Sequence, residues 1–414
     1  MPYRRMTLRA TKQIYFFFGV SALFSMAANF AHPVTPTIIQ QRGFGDYMFG
    51  VALAAMMAVN FLFSPFWGKM VSYLSSRRII LICSLGYAVG QAMFGMATTE
   101  RMMVAARMFA GMFTSGAFTA LLTYLVNTSP YEERNNNLTV AATIQTVAGA
   151  FGYFIGGMLG EIGISIAIVA QVVTLSACGV FFYLTCEDDA TTKLQEIKPK
   201  ALFKEANPLA AFLAGGKIMT PAFVTLFAVC ALASLGGVAF DQSFNYYLKA
   251  QLGLSSGYNG VIKALIGFVC LAANGTIGLW LINKTDIRRS SIYVYLLCSF
   301  SMLGVVLISA VAPFVVANVI YFGVFAVSIP LTQSLVANRA QGTDSNLVMG
   351  YYGSLRSLGA IFGALSAGLL YTINPKWPFI LGLAAFVCAT FAAAYYYHLS
   401  QREDIRDRDI TLIV

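Results

Sequence analysis

Twelve apolar runs alternate along the chain with short polar breaks, and each is long enough to cross a bilayer as a helix of about 20 residues. They fall near 13–38, 47–68, 78–98, 101–126, 137–160, 163–186, 221–248, 256–282, 289–310, 312–337, 346–371 and 377–398. A charged stretch at 187–219 divides them six and six. The pattern predicts an all-α polytopic membrane protein with twelve transmembrane helices, spans 1 to 12, in two pseudo-symmetric six-helix bundles. Residues 1–186 are expected to form the N-terminal bundle, 187–219 a cytoplasmic linker, 220–398 the C-terminal bundle and 399–414 a cytoplasmic tail.

Composition narrows the picture. Of 414 residues, 58% are hydrophobic and 11% charged, where a soluble domain carries about a quarter charged; the mean hydropathy is +0.71. A soluble fold would expose one large adhesive patch, and a disordered chain would be polar. The seven cysteines lie in or at the ends of apolar runs without CxxC spacing. They read as small hydrophobes, with no disulfide framework, metal site or cofactor implied. No phosphate loop, HExxH, GxSxG or EF-hand pattern occurs, so neither an enzyme nor ATP-driven work by this chain is expected.

The net charge of +10 changes orientation more than function. The basic residues sit in short loops rather than in a patch with stacking aromatics, which argues against a nucleic-acid partner. With the N-terminus inside, 20 Lys and Arg fall on the inner side and four on the outer. That asymmetry puts both termini in the cytoplasm and the chain in the plasma (inner) membrane. The basic start, MPYRRMTLRATKQ, runs into span 1 without a small-residue cleavage site and reads as a retained span.

The two halves repeat. GKMVSYLSSRR (68–78) matches LWLINKTDIRR (279–289), and TIQTVAGAFGYFIGGMLG (143–160) matches SLRSLGAIFGALSAGLLY (354–371), both at an offset of 211. Halves related in this way are found in secondary transporters. Here the chain resembles the major facilitator superfamily, over its whole length as topology and most sharply in the loops after spans 2 and 8. The family's loop pattern is a Gly, an acid four residues on, then a base, a Gly and two further bases. Gly68, Arg77 and Arg78 fit it, with Ser72 at the place of the acid. Asn283, Lys284, Arg288 and Arg289 fit the second copy, with Asn283 for the acid. The resemblance implies that these are gating loops. Arg107 followed by Gly111 resembles the family's arginine motif on span 4. The drug–proton antiporter branch has a span-5 motif that resembles the stretch around Gly152 and Gly156, although Tyr153 replaces its proline. Segments 240–248 and 355–371 look partly like lactose permease, with Arg356 in place of a lysine.

Charges inside spans are costly in lipid and face a cavity or a partner. Arg107, Asp241, Lys263 and Arg356 are such charges, with Glu161 at the end of span 5. Asp241, Glu161 and His32 are the candidates for proton coupling, because a carboxyl out of water and an imidazole both titrate within reach. Counting 1.5 Å per residue places Arg356 near the midplane, which makes it the leading substrate cation. Arg107 and Lys263, with Asn29, Gln145, Tyr153, Gln242, Asn245 and Tyr246, complete a candidate substrate pocket. The glycines at 152, 156, 160, 359 and 363 recur every four residues, a spacing that serves close helix packing.

The leading functional expectation is a secondary active transporter using alternating access: proton-coupled antiport, with efflux of small amphipathic drugs or metabolites from a monomer. Its partners are a small-molecule substrate, protons and the lipid bilayer. Transport or exchange of a small organic anion stands as the alternative, with sugar or lipid transport and a non-transporting receptor behind it.

Overall fold

The computed structural model describes residues 2–71, 73–129, 133–189, 219–308, 310–339 and 345–413; the expectations at Ser72 and over most of the linker (190–218) lie outside them. Among the described residues the chain is helical, without strands. The helices are α1 Pro2–Ala28, α2 Thr35–Gln41, α3 Met48–Met70, α4 Ser76–Met96, α5 Glu100–Thr128, α6 Arg134–Ile162 and α7 Ile164–Thr185, then α8 Pro221–Ala250, α9 Ser256–Ala273, α10 Leu279–Lys284, α11 Ile287–Leu307, α12 Val311–Arg339, α13 Ser345–Ile373 and α14 Trp377–Ile413. A π-turn, Asn274–Gly278, carries α9 into α10. Among the described residues eleven helical stretches are long and apolar enough to cross a membrane. Large side chains such as Leu184, Phe300 and Phe391 stay more than 60% exposed, as helices bathed in lipid require.

The first span differs from its sequence expectation. Only Gln13–Ala28 forms its apolar helix, and residues 29–34 are turns before α2 begins. Hydropathy runs unbroken through this region, but Pro33 and Pro36 lack N–H groups. In a continuous helix they would have served the carbonyls of Asn29 and His32. The freed groups are satisfied locally: His32 N–H donates to Asn29 O at 3.2 Å. Gln171 Nε2 on α7 donates to Ala27 O at 2.9 Å and to Ala28 O at 3.2 Å, and Tyr87 hydroxyl on α4 to Ala28 O at 3.3 Å. Irregular backbone at membrane depth is tolerated where protein groups take over its hydrogen bonds.

The chain divides into two compact units. The first takes in α1 to α7 together with Asn245–Phe268; the second runs through α8 to Phe244 and resumes at Val269. In the first, α5 packs against α3 and α4, α4 against α7, and α1 against α6 and α7. Phe17, Phe24, Trp67, Tyr124 and Phe182 lie in its core. In the second, α11 packs against α12 and α14, and α13 against α12 and α14, with Phe223, Phe227, Tyr351 and Tyr396 in one core cluster.

The sequence repeat extends to the helix bounds. α4, α5 and α6 begin and end 211 residues before α11, α12 and α13. Close packing repeats as well. A Cβ on Gly152 would overlap Met26 O, and one on Gly363, at the equivalent position, would overlap Leu235 O. Glycine lets the two backbones touch at both places, the packing role its spacing implied.

Candidate functional site

In the first unit, polar and aromatic groups gather at the break in span 1. Thr99 starts α5 by accepting from Met102 N–H at 3.2 Å, a capping bond. Gly90 on α4 then admits Ala110 (its Cβ would lie 2.8 Å from Ala110 Cα), and Gly111 admits the α3 backbone at Met56. Arg107 lies one turn before Gly111, on the same helix face, so close packing of α3, α4 and α5 fixes where it points. It is 5% exposed. Its guanidinium stacks on Phe94 at 3.8 Å, and its nitrogens reach Thr35 Oγ1 at 3.4 Å and Met56 Sδ at 3.9 Å. Tyr87 and Tyr153 lie within electrostatic range of it.

Tyr153 is the centre of the cluster. The backbones of α6 and α9 cross at Gly157 and Gly260, where a Cβ on Gly157 would stand 3.0 Å from Gly260 Cα. Tyr153 is one turn before that crossing and Lys263 one turn beyond it. Lys263, 7% exposed, places Nζ 5.6 Å from the Tyr153 ring centre, a cation–π distance. His32, from the break, stacks on the same tyrosine with centroids 5.3 Å apart and planes 16° apart. Asn29 turns back to Ser25 O at 2.8 Å and lies under Gly149. Gln145 is half-buried on α6.

Three other candidates hold the ends of α8 and α9 within this unit. Asn245 Nδ2 donates to His32 O at 3.2 Å, the carbonyl freed by Pro36, and its Oδ1 accepts from Asn259 at 2.5 Å. Tyr246 hydroxyl donates to Asp46 at 2.5 Å and its ring stacks on Phe49 at 4.8 Å. Glu161 accepts from Gly257 N–H at 2.6 Å and Ser256 Oγ at 3.3 Å, which caps the start of α9. Asp46, Phe94 and Asn259 went unnoticed in the sequence: single polar or aromatic residues in a loop or an apolar run give no periodic signal.

The second unit carries Asp241 and Arg356. Asp241 is half-buried on α8 and accepts from Gln242 Nε2 at 3.1 Å. The side chain of Arg356 is exposed on α13, while its carbonyl accepts from Ser234 Oγ at 2.6 Å.

The first loop motif is held by acids from elsewhere in the chain. Asp189, just after α7 and 6% exposed, accepts from Ser76 N–H at 2.8 Å, Ser76 Oγ at 2.5 Å and Asn127 Nδ2 at 3.1 Å. Arg77 pairs with Asp188 at 3.5 Å, reaches Cys186 O at 3.4 Å and lies over Tyr183. Gly68 has Thr119 Cγ2 4.0 Å from where its Cβ would be, and Arg78 is exposed. In the second copy Asp286 caps α11 by accepting from Arg288 N–H at 2.9 Å, and Arg288 also reaches Ser400 Oγ at 2.9 Å. Arg289 lies over Tyr293, and Asn283 and Lys284 are exposed. The acids of the first copy, in CEDD at the end of span 6, lie outside the loop pattern, whereas Asp286 of the second copy lies within it, at the place of its second glycine.

Known proteins bear on this arrangement. The sequence profile of the Major Facilitator Superfamily matches residues 17–343. Multidrug resistance protein 1 of Bacillus subtilis is 23% identical over 378 residues, covering 89% of this chain and 92% of that protein. Multidrug resistance protein 2 of the same organism is 19% identical over 86% and 87%. Among solved structures, an inward-facing bacterial homologue of the human lysosomal transporter Spinster aligns with a TM-score of 0.73 at 14% identity, over 97% of each chain. The family is made of transporters of small molecules, not enzymes. The chain is a multi-pass membrane protein and belongs to the Major Facilitator Superfamily.

Proposed function

We propose that this chain is a secondary active transporter that exports small amphipathic molecules by alternating access, in exchange for protons. In this reading its apolar runs make twelve spans in two six-span bundles, 1–186 and 220–398, joined by 187–219 and followed by the tail 399–414. It works as a monomer in the inner membrane with both termini in the cytoplasm. The observation that carries the reading is the cluster at the broken first span. Arg107, Lys263, His32 and Tyr153 bring buried charge and aromatic faces together in a largely apolar helical body, and a broken span is a recurrent seat of transporter sites. The named relatives, multidrug resistance proteins, favour amphipathic cargo.

Asp241, Glu161 and His32 are the proposed proton groups, and Arg107, Lys263, Arg356, Asn29, Gln145, Tyr153, Gln242, Asn245 and Tyr246 the proposed substrate groups. The anchored loop bases Arg77 and Arg288 would gate. Transport of an organic anion is a second reading, favoured by two cations close to one tyrosine. The test is reconstitution in liposomes with an imposed pH gradient. Amphipathic compounds should dissipate the gradient in proportion to active protein, and D241N should abolish that while leaving binding intact. A gradient untouched by any amphipathic anion, cation or neutral compound removes proton-coupled export.

A further inference from the structure

Arg107 is buried to 5% exposure, yet among the described residues it has no carboxylate or carbonyl acceptor. Phe94 covers one face of the guanidinium, and its edge meets only a hydroxyl at 3.4 Å and a thioether at 3.9 Å. A guanidinium carries five donors in a planar fork that matches a carboxylate. Taking such a cation out of water is costly, and leaving it unpaired is the expensive state. Tyr153 lies within its electrostatic range, and the same ring carries Lys263 Nζ at 5.6 Å and stacks on His32. Positive charge and an apolar aromatic surface therefore meet in one place, on four helical elements and the break that brings His32 in.

We propose that this cluster binds the anionic group of an amphipathic organic anion. The carboxylate takes the Arg107 fork, and the apolar body lies against the edge of Tyr153. The proposal rests on the transport reading above and narrows it from amphipathic molecules in general to amphipathic anions. A cationic compound of the same shape would bring its charge towards the Arg107 guanidinium, which disfavours it.

The test is binding to the purified full-length protein of three matched pairs, 2-naphthoate, indole-3-acetate and decanoate, each against its own primary amide. The parent should prefer at least one carboxylate over its amide by about ten-fold or more. R107Q should reduce that ratio to within about two-fold, and R107K should fall between. Equal binding of acid and amide in all three pairs of the parent overturns the proposal, whatever the variants do. So does an undiminished preference in R107Q. If R107Q does not fold, R107K decides in its place: full retention of the preference contradicts recognition by the fork. Acid preference without any transport in liposomes would leave this site standing and defeat the transport reading. Transport of cationic dyes without acid preference would do the reverse.

Discussion

α5 and α12 occupy equivalent places in the repeat, with bounds 211 residues apart, and they are chemically unlike. Arg107 of α5 corresponds to Asn318 of α12. Arg107 reaches across to other elements: α2, α3 and α4. Asn318 is fully buried and donates to Phe314 O of its own helix at 2.7 Å, while its Oδ1 has no hydrogen-bond partner among the described residues. The comparison teaches that the repeat preserves helix bounds and backbone contact, and that polar chemistry is added to one copy and not the other.

The shared part is the easiest to break. Gly152→Leu and Gly363→Leu each drive a side chain into a facing carbonyl. Both variants should lose most folded protein in a detergent thermal-shift assay, in line with overpacking costs of about 1–3 kcal/mol or more. Similar losses in the two halves support a shared backbone contact, and tolerance of either would end it. A smaller effect is expected at the helix starts, which again differ between copies. Asp189 is buried and accepts three hydrogen bonds, so Asp189→Ala should destabilise by about 1–3 kcal/mol, the range for orphaned buried donors. Asp286 is exposed, and Asp286→Ala should cost about 1 kcal/mol as an ordinary cap; equal unfolding midpoints for the two variants would remove that distinction. Least of all should change at Asn318. Asn318→Leu removes an unsatisfied buried oxygen and should shift stability by less than about 1 kcal/mol, with transport unaltered. A large transport defect there would give α12 a chemical role after all.

Much of the fold was legible in the sequence because lipid makes the signal simple: long apolar runs, punctuated by charge. Eleven runs became helices long enough to span. The first became two pieces, because hydropathy does not register the N–H groups that Pro33 and Pro36 lack. The site was legible as a set of residue types and less so as a place. Counting along a helix gives depth but not direction. Arg356 was therefore favoured by depth alone, and the burial of Arg107 against Phe94 was not foreseen. The tyrosine-centred grouping of His32, Lys263 and Tyr153 depends on the crossing of α6 and α9 at Gly157 and Gly260. No spacing within a single run reports that contact. The acids that anchor Arg77 and Ser76 were missed for a related reason: they come from the end of α7, far along the chain from the loop motif they complete.

The central claim is that the cluster around Arg107 and Tyr153 in the first unit carries substrate recognition. It is tested most directly by exchange of labelled 2-naphthoate in liposomes containing R107Q or R356Q, each normalised to folded protein. R107Q should lower the exchange rate by more than about ten-fold, equivalent to about 1.4 kcal/mol or more, and R356Q, a substrate group of the second unit, should lower it less than R107Q does. Exchange that survives R107Q and collapses in R356Q would contradict the account and move recognition to the second unit.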